Sequence, residues 1–366
     1  MVSDIAIGGT ADPLDVHLGG LFASDPVEPM SLPPSQEMAA LDVLLPQNAF
    51  VRLPTNAQPR SRLPAPLAPP RVPTVYPPPR EPNEPGLPEI GAIIDKYRIE
   101  ELLGRGGFAV VYRATHMLLQ RPVAIKLLRP KIVAKRPGLV QLLCNEARFA
   151  ARINHRNVVR VYDVTHTPEV TYVVMEYING PTLSQMITRK GALPVKMVLR
   201  LGIDVARGLK AGLEQGLIHR DIKPANILLT RAGETKIVDL GLAQPSKLSA
   251  EDEDAGRALV GSYVGTHGYM APEQLLNPQR IDFRADIYSL GVTLFHAAVG
   301  RAPFPGKGKG APASPTRDEP FPSAEVNEAL APGLARLLSW MIEKDPAGRP
   351  QTYDILLDAM MVASGR

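Results

Sequence analysis

The chain has 366 residues, with 41 Lys and Arg against 37 Asp and Glu, a net charge of +4 and a pI near 9.1. The basic excess is spread along the chain and forms no cluster of the kind a nucleic-acid surface needs. No run of about 18 apolar residues is present to span a membrane. A hydrophobic fraction of 45% is ordinary for a globular protein and allows one large domain or two smaller ones. The single cysteine, Cys144, excludes an intramolecular disulfide and a Cys-rich zinc site. The N-terminus opens Met1-Val2-Ser3-Asp4 without the basic lead and apolar stretch of a signal peptide, so a cytoplasmic protein is expected.

In chain order, residues 1–92 read as a largely disordered arm. From Leu53 to Pro88 roughly a third of the residues are proline, which fixes φ, removes an amide donor and favours extended polyproline II segments. Such an arm serves as a plain spacer or as a docking segment for a partner with an aromatic proline-binding groove. A short helix is conceivable only over Met38–Leu45. From Asp95 the pattern turns globular. Strands are expected at Tyr97–Leu103, Ala109–Ala114 and Pro122–Leu128, a helix over 138–152, and strands again at Val158–Tyr162 and Thr171–Met175. Beyond Gly180 the periodicity is mainly helical, as in Val198–Leu209. No internal repeat is visible.

Three segments carry chemistry. The first is Leu103-Gly104-Arg105-Gly106-Gly107-Phe108-Ala109-Val110-Val111, where glycines between two strands let backbone approach a phosphate chain without a Cβ in the way. An ordinary Gly-rich hairpin turn has the same look, whereas a Rossmann fold needs a helix after the motif. The second is Val123-Ala124-Ile125-Lys126, one strand further on, whose ammonium can offset phosphate charge if a carboxylate holds it. Glu146 on the expected helix is the natural holder. The third is His219-Arg220-Asp221-Ile222-Lys223-Pro224-Ala225-Asn226, followed by Asp239-Leu240-Gly241. Asp221 can take the proton of a hydroxyl, Lys223 can neutralise a transferred phosphoryl group, and Asn226 and Asp239 offer the hard oxygens that Mg²⁺ requires.

This third segment resembles the catalytic loop and metal motif of eukaryotic-type (Hanks-type) protein kinases, and Lys223 resembles their serine/threonine branch. The glycine motif resembles the kinase glycine-rich loop, with Ala109 at its third glycine position; Leu240 stands where the family usually has Phe. The resemblance continues through Ala271-Pro272-Glu273, Asp286 and Arg349, and covers about Tyr97 to Leu357. It implies an α+β, two-lobed kinase fold over 95–362, with a β-rich N-lobe to about 175 and a helical C-lobe from about 180. ATP and Mg²⁺ would lie in the cleft against the glycine motif, Ala124, Lys126, Glu146, Met175, Glu176, Ile178 and Leu228. Asp286 would brace the catalytic loop, and Glu273 would pair with Arg349. The implied activity is transfer of the ATP γ-phosphate to Ser or Thr of protein substrates, with autophosphorylation. An ATP-binding pseudokinase scaffold and a small-molecule kinase remain the alternatives. Ser262 matches an activating phosphosite position facing Arg220, and the acidic run 251–254 would either imitate that phosphate or form a solvated loop.

Overall fold

Alternating burial assembles the front of the chain into one antiparallel sheet. Its strands are β1 (Ile93–Ile94), β2 (Tyr97–Arg105), β3 (Ala109–His116), β4 (Arg121–Leu128), β5 (Val161–His166) and β6 (Thr171–Glu176), in the order β1-β2-β3-β4-β6-β5. Tyr97, Ile99, Val110, Tyr112, Val123, Ile125, Leu127, Tyr172 and Val174 form the core of one face. The computed structural model describes residues 84–239, 244–245, 267–277, 280–302 and 330–365. The Met38–Leu45 segment, the acidic run 251–254, Ser262 and Leu240 lie outside them.

After β4 come α1 (Pro130–Lys135) and α2 (Gly138–Ala150). Helix α2 buries Leu139, Leu143, Glu146, Ala147 and Ala150 along one stripe, and packs with Ala109, Leu128 and Val173 on the other face of the sheet. The helix thereby presents Glu146, a carboxylate in an apolar stripe, toward β4.

The rear of the chain is helical. It comprises α3 (Leu183–Lys190), α4 (Val195–Glu214), α5 (Pro272–Leu276), α6 (Arg284–Val299), α7 (Pro332–Met341) and α8 (Tyr353–Ala363). Helix α3 starts at a capping box in which Thr182 and Gln185 satisfy each other's backbone amides. Helix α6 buries residues on every side and is the centre of this lobe, with α4 and α7 packed against it and α8 packed on α4 and α7. Two short pairs of strands lie between the lobes: β7 (Leu217–Ile218) with β10 (Gln244–Pro245), and the hairpin of β8 (Ile227–Leu229) with β9 (Thr235–Ile237).

Two boundaries differ from expectation. The strand expected from Val158 begins at Val161, because the Val159 amide donates 2.9 Å to Ile237 O and the Ile237 amide donates 2.8 Å to Asn157 O, tying this stretch to β9 in the large lobe. The described chain also starts inside the expected arm. Glu84 and Leu87 are buried, Leu87 in the small-lobe core, and the Gly91 amide donates to Ile99 O. Proline bars ladder hydrogen bonds but does not prevent a segment from packing side chains.

Candidate active site

The cleft between sheet and helices receives residues from six segments. Strand β4 carries Lys126, which pairs in register with Val111 of β3 and Val173 of β6. Its Nζ lies 2.6 Å from Asp239 Oδ1 and 3.5 Å from Glu146 Oε1. One cation therefore joins the sheet, the helix α2 and the segment after β9. Burial pushes the Glu146 carboxyl up to about 7 against the pull of Lys126. Enclosure also opposes ionisation of Asp239. Its side chain is 45% exposed, however, and the Lys126 ammonium, with Lys223 and His219, holds it down to about 2.

The glycine motif spans the end of β2 (Leu103, Gly104, Arg105), a turn (Gly106, Gly107, Phe108) and the start of β3 (Ala109, Val110, Val111). The Gly106 amide donates 2.8 Å to Ala109 O, closing the turn. Ala109 is buried against Leu128, its partner in register, so a small side chain is accommodated there. Ala124 pairs with Met175 near the end of β6, and Glu176 and Ile178 follow as the chain crosses between lobes. Leu228 lies on β8 opposite Lys236.

Asp221 sits between β7 and β8. Its Oδ2 accepts from Lys223 Nζ at 2.7 Å and from Asn226 Nδ2 at 3.0 Å, while its Oδ1 is buried without a hydrogen-bond partner among the described residues. Burial raises this carboxyl to about 6 despite Lys223. Asn226 also donates 2.9 Å to Asp221 O, so its amide nitrogen is committed and its oxygen is left as the accepting atom. The Asn226 oxygen and the ionised Asp239 carboxylate form a hard-oxygen pair of the type Mg²⁺ shares with substrate phosphates. Among the described residues no group of three or more His, Cys, Asp or Glu could hold a metal.

The catalytic-loop backbone is strained and braced. Arg220 and Asp239 both adopt positive φ, 66° and 62°, a region that costs non-glycine residues of order 1 kcal/mol or more and clusters at functional sites. Asp286 compensates by accepting from the His219 and Arg220 amides at 2.8 and 2.7 Å. Gln274 Nε2 donates 3.0 Å to Arg220 O. Beyond it, Arg349 makes a two-pronged pair with Glu273 at 2.6 and 2.8 Å.

Three residues take roles that the sequence motifs do not assign. Lys236, buried on β9, donates 2.9 Å to Glu176 Oε2 and pins the crossing segment to the large lobe. Gln274, at the start of α5, accepts from the Ala271 amide at 2.9 Å and donates to Arg220 O at 3.0 Å. His219 accepts from the Asp221 amide at 3.3 Å and is lowered to about 4 by burial, so it stands neutral behind the loop. The position of Lys236, three residues before Asp239, was the available signal.

Residues 97–360 match the protein kinase domain family. The chain belongs to the protein kinase family. A probable serine/threonine-protein kinase of Clostridium perfringens is 35% identical over 265 residues, covering 72% of this chain and 38% of the relative. The serine/threonine-protein kinase PknB of Mycobacterium leprae is 32% identical over 278 residues, covering 74% and 44%. The chain thus spans about two fifths of the length of these relatives. Among solved structures, the kinase domain of Mycobacterium tuberculosis PknI superposes with a TM-score of 0.60 at 26% identity, covering 76% of this chain and 99% of that one. The two-lobed α+β architecture is therefore that of a protein kinase. No described helix is long and apolar enough to cross a membrane.

Proposed function

We propose that this chain is a serine/threonine protein kinase that transfers the γ-phosphate of ATP to Ser or Thr hydroxyls of protein substrates, itself included. The observation that carries the reading is Asp221: one carboxylate oxygen engaged by Lys223 and Asn226, the other buried and unpartnered among the described residues, opposite the Lys126–Asp239 pair. A substrate hydroxyl donating to Asp221 Oδ1 would be oriented toward the phosphate and would give up its proton to that oxygen as the new O–P bond forms and ADP departs. Lys126 and Lys223 hold the phosphate oxygens, with Glu146 keeping Lys126 in place. Asn226 and Asp239 would hold Mg²⁺, which when bound offsets phosphate charge. Leu103 to Val111, Ala124, Met175, Glu176, Ile178 and Leu228 enclose the nucleotide.

In this reading residues 95–362 are the catalytic domain, working in the cytoplasm. Residues 1–92 precede it as an arm whose last part, from Glu84, packs on the small lobe; the part before it is a spacer or the ligand of a proline-binding partner. Lys126, Asp221, Asn226 and Asp239 are all present, which favours catalysis over a pseudokinase scaffold. The Glu273–Arg349 platform favours a protein acceptor over a small molecule. The test supplies γ-labelled ATP and Mg²⁺ with protein and small-molecule acceptors side by side. Label should appear on Ser and Thr of protein, and Asp221→Asn should slow transfer roughly 10²- to 10⁴-fold. Nucleotide binding without transfer, or label on small molecules alone, would replace this reading.

A further inference from the structure

Residue 84 lies upstream of the region shared with the kinase family, yet it is bound to the glycine-rich loop, chiefly through Arg129 and more distantly through Arg105 of the loop itself, whose guanidinium lies 3.9 Å from Glu84 Oε2. Arg129, just after β4, donates from Nε to Glu84 Oε2 at 2.8 Å, and its NH2 lies 2.7 Å from the same oxygen. From NH1 it donates to Gly106 O at 3.3 Å and Gly107 O at 3.1 Å, and its backbone amide donates to Phe108 O at 2.9 Å. Three consecutive carbonyls of the loop are therefore bonded by a single residue. Glu84 is 7% exposed, and its segment is anchored to the small lobe at two further points. Gly86, at φ +90°, sits so close to Pro130 that an added Cβ would lie 3.0 Å from its ring, and Leu87 enters the core.

The physical consequence concerns what the loop shows to a phosphate chain. Glycine-rich backbone has many accessible conformations, and ordering it on binding costs free energy. Carbonyl oxygens facing the phosphates would repel them. Arg129 turns the Gly106, Gly107 and Phe108 carbonyls onto its own donors, and Glu84 fixes the guanidinium from behind.

We propose that Glu84 is a positioning residue for nucleotide binding: it holds Arg129 against the glycine-rich loop, so that the segment before the kinase domain is part of the ATP site. The inference rests on the kinase reading, and binding rather than turnover keeps the two separable. The experiment titrates Mg·ATP onto the full chain, its Glu84→Ala, Glu84→Gln and Arg129→Ala variants and the double alanine variant, alongside Tm, kcat and both KM values. Each single variant should weaken Mg·ATP about fivefold to tenfold, some 1–1.4 kcal/mol. KM for ATP should rise in step, with kcat and the acceptor KM little changed. The double variant should be scarcely worse than either single, since both remove one brace. Glu84→Gln keeps the side-chain shape and serves if the alanine variant folds poorly. Unchanged Mg·ATP affinity with only a lowered Tm would overturn the proposal, as would fully additive effects. A parent chain that does not bind Mg·ATP would overturn the kinase reading and the brace with it.

Discussion

Asp286 shows how one buried carboxyl ties stability to pH. Burial raises it to about 6, although the amides of His219 and Arg220 donate to it and Arg220 lies nearby. An aspartate in an unfolded chain titrates near 3.9, so between roughly 4 and 6 the folded protein holds a proton that the unfolded chain releases. The stability Asp286 contributes through this proton is complete below about 4 and is lost as pH rises through about 6. Asp286→Asn removes the titration and turns an amide donor toward one backbone N–H, so the variant should melt lower than the parent. Thermal melting across pH should show the gap widest near pH 4.5 and narrower by pH 7; a gap that grows with pH would contradict the raised value. At this scale the sequence was most informative. Lys126, Asp221, Lys223, Asn226 and Asp239 occur in short segments where the chemistry demands a residue type at a fixed spacing. Glu84 was not legible, because it acts through a contact with Arg129, distant in the chain; Lys236 could be noted three residues before Asp239, but nothing local names its partner Glu176.

The elements were read less evenly. Strands β2, β3, β4 and β6 follow period-two burial or β-branched composition and were placed within a few residues, as was α2 from its apolar stripe. The start of β5 was missed since Val158 and Val159 are as β-prone as Val161; their partner is β9, which local pattern does not reveal. The connection from β6 to α3 has a tighter constraint. A Cβ on Gly180 would stand 1.7 Å from Leu229 O and 2.9 Å from Leu229 C, in a stretch where the Leu229 amide donates to Pro181 O at 3.0 Å. Backbone cannot yield there without moving β8, which carries Leu228, a residue of the proposed nucleotide site. Overpacking of this kind costs about 1–3 kcal/mol, so Gly180→Ala should lower Tm by roughly 3–8 °C. It should also weaken Mg·ATP, and an unchanged melting curve would show that the two segments are free to part.

Across the whole molecule, the start of α5, the start of α6 and the chain between α7 and α8 are held by one side chain. Arg349 is 1% exposed and spends its donors on Glu273 Oε1 and Oε2, Arg284 O, Glu343 O and Lys344 O, at 2.6–3.0 Å. Its guanidinium also lies over the Tyr288 ring. No other residue type fills this role: Lys has three donors on one atom, and cannot form the planar two-pronged pair. Arg349→Met should therefore be severe, since it strands a carboxylate that is 12% exposed. Arg349→Lys should be costly too, since it keeps the charge but loses the two-pronged pair and most of the carbonyl contacts. Losing one partner of a buried pair costs about 3–5 kcal/mol, which for a domain of this size corresponds to a Tm lower by roughly 10 °C. Replacing both partners at once, Glu273→Gln with Arg349→Met, removes the stranded charge and should recover part of the loss. Activity should fall further than stability alone explains, because Gln274, next to Glu273, also holds the Arg220 carbonyl beside Asp221. Melting curves and initial rates on the three variants decide it. A single variant that melts within about 2 °C of the parent would mean that the pair does not join the two ends of the large lobe.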